Sequence, residues 1–237
     1  MNETYKVQVQ GLVDDLKAVF THAGLGGEAG EYKLLTQSFL YKFLNDKFLY
    51  QAKVLDESNT YENLLAMSEE DYDWLLEDIG TSTAWLKTDQ LIETLHRQQN
   101  EPTFYETFEN TLNQIAIDNN DIFSVHTDGD TAIRLFDERL ITDTISDSSK
   151  RNEVAKSIIN LLARVKFDED IFSQGFDFFS TLFEYMIKDY NKDGGGKYAE
   201  YYTPHSVAKI IADILVGDDQ PSKMCVSMTL LLVLEPC

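Results

Sequence analysis

Positive charge is scarce in this chain. Its 237 residues include 20 lysines and arginines against 41 aspartates and glutamates, a formal net charge of −21. A surface of that sign repels phosphate backbones instead of releasing counterions from them, so the chain alone is expected to grip DNA poorly. Cysteine is rarer: Cys225 and Cys237 are the only two, both near the end of the sequence. That excludes a disulfide framework and any cysteine-based metal spacing. The four histidines, His22, His96, His126 and His205, show no paired spacing for zinc and read as structural or solvent-facing. No apolar run approaches the roughly 20 residues needed to span a bilayer. The opening MNETYKVQVQ has no apolar signal-peptide core. A cytoplasmic address and no membrane partner are therefore expected.

What is present is ample for a packed core: 43% of residues are hydrophobic and 12% aromatic. Helical periodicity dominates. Leu12, Val13, Leu16, Val19 and Phe20 fall on one face, as do Leu34, Leu35, Phe39, Leu40, Phe43 and Leu44. Between them lies GLGGEAGEY, whose Gly24, Gly26 and Ala29 formally match the glycine fingerprint of dinucleotide sites. That fingerprint needs a preceding strand, and an amphipathic helix precedes it here, so a helix-helix loop is expected. Further helices are expected over Tyr61 to Leu76, Leu91 to Arg97 and Pro102 to Ile117, with Pro102 in the first turn.

The stretch IFSVHTDGDTAIRLFDE carries Asp128-Gly129 and predicts a turn or short hairpin, after which helices resume from Arg151 to Val165. Strands are otherwise scarce up to residue 220. No internal repeat or low-complexity segment is visible. Trp74 and Trp85, in apolar helical surroundings, are expected as core anchors.

Near the end, DYNKDGGGKYAEYYTP has two readings. Asp189, Asn191, Asp193, Gly194 and Glu200 fit the spacing of a calcium loop. Against that reading, Gly196 stands where such loops carry an aliphatic residue, no second loop exists to pair with, and the exiting helix would meet Pro204. In the other reading the glycines are a hinge and Thr203-Pro204 opens the helix HSVAKIIADIL, whose Val207, Ile210, Ile211 and Ile214 share a core face. The free amides at that helix start suit a carboxylate. Tyr201 and Tyr202 merely packing, with Thr203 merely capping, is the plainer alternative.

The residues from Asp170, DIFSQGFDFFSTLFEYMIKDYNKDGGGKYAEYYTPHSVAKIIADIL, resemble the methylation subunit of type I restriction-modification systems, in the family of adenine-N6 DNA methyltransferases. In that family an aromatic-rich helix, here Phe178 to Tyr190, leads through a glycine-containing loop into a Tyr/Phe-Thr-Pro motif. Tyr201, Tyr202, Thr203 and Pro204 match the motif. GEYKLLTQSFLYKFLNDKF is similar to the family's N-terminal helical domain. The resemblance implies S-adenosylmethionine as cofactor, contacted by Glu200, Tyr201, Tyr202, Thr203, Pro204 and His205. It also implies as partners DNA, a specificity subunit, a nuclease-motor subunit and a second methylation subunit. The expected fold is mainly α: a bundle-like N-terminal helical domain over residues 1–168, then over 169–222 a linker helix and the opening of an α/β, Rossmann-like methyltransferase domain.

After Pro221 the resembled family continues with a strand and an Asp-Pro-x-x-Gly-Ser-Gly turn, whereas this sequence reads SKMCVSMTLLLVLEPC. Read one base out of step with permitted wobble bases, Met224 to Cys237 become Asn-Val-Cys-Val-Tyr-Asp-Pro-Thr-Ala-Gly-Ser-Gly-Thr-Leu, the motif that is missing. Residues 223–237 are thus expected to be an out-of-frame tail left by the loss of one base near Lys223. On that expectation the glycine turn and the family's Asn-Pro-Pro-Phe/Tyr catalytic loop are absent, no residue present is catalytic, and the chain alone is inactive. A non-enzymatic acidic helical module that binds a protein partner is the competing reading.

Overall fold

In a computed structural model the chain divides into two compact units, Met1–Leu182 and Phe183–Cys237. The structure describes residues 3–123 and 135–167 together with Phe172, all of which belong to the first unit. No strand occurs among these residues. The mainly α expectation therefore holds for the first unit, while the Asp128-Gly129 turn, the glycine hinge, the calcium-type spacing, Glu200 to His205 and the tail lie outside the described residues.

The two long helices are α1 (Glu3–Ala23) and α2 (Ala29–Leu55). The glycine-rich stretch between them is a helix terminus followed by a loop. Leu25 N–H donates to Phe20 O at 2.9 Å and Gly24 N–H to Thr21 O at 3.0 Å, with Gly24 at φ 98° and Leu25 buried. This is a Schellman closure, and the left-handed backbone at Gly24 is why glycine is needed there. Gly27, at φ 76°, then donates its N–H to Glu31 Oε2 at 2.7 Å. The formal dinucleotide match is accounted for by these two turns.

Shorter helices follow: α3 (Tyr61–Ala66), α4 (Glu69–Ile79), α5 (Ile92–Gln98), α6 (Phe104–Asp118), α7 (Asn120–Phe123), α8 (Leu140–Thr144) and α9 (Ser148–Arg164). The single helix expected over Tyr61 to Leu76 is two. Met67 and Ser68 are extended, and Ser68 Oγ accepts from Asp71 N–H at 3.1 Å, which starts a new helix where periodicity alone would continue the old one. Pro102 lies before the first turn of α6, not inside it. Thr103 is the N-cap, and Asn152 from α9 supplies the cap in trans, accepting from Tyr105 N–H at 3.0 Å and donating to Pro102 O. Ile122 and Phe123, read as the start of a turn, end α7. Helices resume at α8, before the expected Arg151, and α9 itself starts at Ser148, where Asp147 caps it through Ser149 N–H at 3.0 Å.

Helix α9 packs against α1, α5 and α6, and α2 packs against α1, α4 and α8. The core joins Leu16 and Phe20 of α1, Phe39, Tyr41 and Phe48 of α2, Phe104 and Phe108 of α6, and Ile158 and Leu162 of α9, all buried. Each such side chain contributes about 1.5–3 kcal/mol on burial. Trp74 does not join them: it is 61% exposed. Its neighbours Leu75 and Leu76 take the inward face of α4, and the indole falls with Glu70, Asp73 and Glu77 on the outward one. Trp85 is half-buried, donating Nε1–H to Gly80 O at 2.6 Å.

Two buried phenols tie helices to loops. Tyr41 donates to Gln90 O at 2.7 Å and Tyr72 to Leu86 O at 2.6 Å. Burial, and then the negative charge of Asp89, pushes both phenols above the ordinary tyrosine range. A raised phenol stabilises the fold fully below its unfolded pKa of about 10 and ceases to do so as pH rises toward the folded value. Thermal melts followed by circular dichroism should therefore show stability falling above pH ~10. Y72F should cost ~1 kcal/mol at neutral pH through the orphaned Leu86 carbonyl and should make the alkaline fall shallower. An unchanged alkaline slope in both Y41F and Y72F would contradict this assignment.

Candidate functional site

The middle of α2 has a polar station set into an apolar helix. Lys42, Asn45 and Asp46 are all buried, one turn apart on the inward face. Lys42 Nζ lies 3.0 Å from Asp46 Oδ1 and 2.9 Å from Oδ2. Asn45 Nδ2 donates to Asp46 Oδ1 at 2.8 Å, while Asn45 Oδ1 accepts from Ile92 N–H at 2.9 Å. Ile92 opens α5, so a side chain of α2 caps the start of another helix. Asp46 Oδ2 in turn accepts from the backbone N–H of Phe167 at 2.8 Å, beyond the end of α9. The Lys42 ammonium stands 5.5 Å from the centre of the Phe167 ring.

One carboxylate thus gathers a side-chain cation and a side-chain amide from its own helix and a main-chain amide from 121 residues further along the chain. Burial lowers the Lys42 pKa, and the adjoining Asp46 charge works in the opposite direction. A little further along the chain, Phe172 meets Phe43 edge-on at 5.6 Å and stacks on Tyr50 at 5.4 Å. Helix α2 therefore holds the chain at two points, Phe167 and Phe172, just before the segment that the sequence singled out.

A second buried acid fixes α8. Glu109 of α6 accepts from Thr142 N–H at 2.6 Å and from Thr142 Oγ1 at 2.9 Å. Arg151 of α9 donates to Thr142 O at 3.1 Å and to Ile145 O at 3.0 Å. Both arrangements are structural: each satisfies backbone groups that helix ends leave open. Neither joins a nucleophile to a base, and among the described residues no group of three His, Cys, Asp or Glu side chains could hold a metal ion.

Of the histidines, His22 is exposed and His96 Nε2 pairs with Asn160 Oδ1 at 3.0 Å, while His126 and His205 lie outside the described residues. The cofactor candidates Glu200, Tyr201, Tyr202, Thr203, Pro204 and His205 lie outside them too. Two surface clefts do not replace them. One, of about 540 Å³, is lined by Glu69, Glu70, Asp73, Trp74 and Glu77 and offers no cation to an amino-acid carboxylate. The other, between α1 and α9, holds His22 and Lys150 but measures about 270 Å³. That is below the ~300 Å³ at which small-molecule pockets begin. Neither of these two clefts fits S-adenosylmethionine.

The described residues thus form a helical unit, and the sequence continues beyond it. The segment over residues 174–234 matches the family model described as N-6 DNA Methylase. The match covers about a quarter of the chain and includes Glu200 to His205. It supports an adenine-N6 DNA methyltransferase family for this segment, with DNA as substrate and S-adenosylmethionine as the methyl donor that such a family implies. No curated protein and no solved structure matches the chain. No helix of the described residues is long and apolar enough to cross a membrane.

Sequence reading missed the Lys42–Asp46 station, although its signal is present: KFLND places a cation and an acid at i and i+4 on a helix rich in aromatic and aliphatic residues. Asp46→Ala leaves Lys42 buried and unpaired and should cost about 3–5 kcal/mol in a denaturant melt. Lys42→Met should cost less, since Asp46 keeps the Asn45 and Phe167 donors. Equal losses in the two variants would mean that the cation, not the carboxylate, organises the station.

Proposed function

We propose that this chain is part of the methylation subunit of a type I restriction-modification system, transferring methyl from S-adenosylmethionine to adenine N6 in DNA. The observation that carries the reading is the N-6 DNA methylase match over 174–234, which contains the Tyr201-Tyr202-Thr203-Pro204 motif. The helical unit ahead of it, with the similarity of Gly30 to Phe48 to the family's N-terminal domain, supports the type I assignment. In this reading Glu200 to His205 contact the methyl donor, and the amides at the start of the following helix receive its carboxylate. Bound donor supplies an electrophilic methyl group, and a target adenine turned out of the duplex offers its amino nitrogen to it. Positioning, more than acid-base chemistry, is what the protein contributes to such a transfer.

In the same reading residues 223–237 are a tail in the wrong frame, with the glycine turn and catalytic loop in the frame one base away; the family match itself runs on to residue 234. The alternation of a shifted Asp-Pro-x-x-Gly-Ser-Gly beneath SKMCVSMTLLLVLEPC supports the wrong-frame reading. The acidic balance supports a role in which a specificity subunit reads the sequence and this subunit does not grip phosphates unaided. A nuclease-motor subunit and a second methylation subunit complete the proposed assembly.

The gene itself supplies the test. Nucleotide sequencing from the codon of Gly217 onward should show the shifted frame continuing through the glycine turn to Asn-Pro-Pro-Phe/Tyr. The chain with the base restored should bind S-adenosylmethionine in a calorimeter, and Tyr202→Ala should weaken that binding about tenfold or more. A shifted frame without methylase motifs would refute the reading.

A further inference from the structure

One helix face is arranged against its own stability. On α4, Glu69, Glu70, Asp73, Trp74 and Glu77 make up one outward face, and all five residues are exposed. Acids in the first turn favour the helix dipole, which accounts for Glu69 and Glu70. It does not account for Asp73 and Glu77, which continue an i, i+4 row of like charge from Glu69 to the carboxyl end, where no basic residue stands. None of the four has a cation partner among the described residues. Some other surface acids of the unit do: Asp137 is met by Lys33, Asp118 by Lys87, and Glu62 and Glu93 by Arg97. The carboxylates do not converge on a metal geometry. A 61% exposed tryptophan in the middle of such a row has no role in the core, and large exposed aromatics are the residues that anchor partners.

We propose that the α4 face, centred on Trp74, is a docking surface for an arginine-bearing segment of a partner protein. Charge complementarity selects the occupant. Nucleic acid and anionic membrane are repelled by the row. A second copy of this chain, at −21, brings the same sign. An arginine side chain stacks its planar guanidinium on the indole while pairing with the carboxylates one turn to either side, which a lysine does less well. The surface lies wholly on the helical unit, and the proposal does not depend on the methylase reading.

Fluorescence anisotropy of a labelled, amidated peptide of arginine and alanine, titrated with the full chain at ~0.15 M salt, tests it. Trp74→Ala should weaken binding about tenfold, and Trp74→Phe should recover most of it. E70Q/D73N should weaken binding by a similar factor. E57Q/E101Q, which removes the same charge from exposed sites elsewhere, should leave it unchanged. A lysine-alanine peptide should bind several-fold more weakly than the arginine peptide. Melting curves should show every variant folded, with Trp74→Ala overlaying the parent and E70Q/D73N no less stable than it, since that variant relieves like-charge repulsion on an exposed face. Unchanged binding by Trp74→Ala, or equal weakening by the two paired variants, would overturn the proposal. So would protection of Trp74 from acrylamide quenching by a single-stranded oligonucleotide or anionic vesicles instead of the peptide.

Discussion

The fold of the helical unit depends on a carboxylate buried in the middle of its longest helix. Asp46 holds Lys42, Asn45 and the Phe167 amide, and through Asn45 it reaches the first turn of α5. Charges in such a position are tolerated only when their hydrogen-bonding capacity is filled, and here both oxygens are engaged. The arrangement converts an expensive burial into a constraint on three separate chain segments. The exit past Phe167, the start of α5 and the axis of α2 cannot shift independently without exposing an unpaired group.

That constraint matters because of where the chain goes next. The methylase match begins at residue 174, a few residues beyond Phe167 and Phe172, both of which rest on α2. Helix α2 therefore anchors the polypeptide at Phe167 and Phe172, shortly before the matched segment begins. The remaining acids divide by what they do: Glu109 fastens α8, Asp118 and Asp137 meet lysines, and the α4 row faces outward without a cation. Net charge alone says nothing of this division.

The periodic helices were legible from the sequence because side-chain spacing and burial report the same face, as Leu12, Leu16 and Phe20 or Leu34, Leu35 and Phe39 show. Boundaries were less so, since they rest on side chains that act at a distance in sequence. Ser68 divides a continuous periodicity through a local cap, whereas Pro102 is displaced from α6 by Asn152, some fifty residues away. Trp74 was misplaced because a large aromatic among apolar neighbours reads as core. The acids at 70, 73 and 77 are what mark its face as the outer one. The Thr-Pro motif could be read without any structure, because its signal is a residue string and not a packing pattern, and the family match covers it.

The central claim is the reaction assigned to the segment at 174–234, and its most direct test is the product. The chain, with the proposed missing base restored and together with the specificity subunit that the type I proposal assigns to it, should be given duplex DNA and S-adenosylmethionine bearing a labelled methyl group. The DNA should then be digested to nucleosides and resolved by mass spectrometry. The account predicts the label on N6 of deoxyadenosine and on no other nucleoside. Label on deoxycytidine, or unlabelled DNA from an assembly that binds the methyl donor, would contradict it.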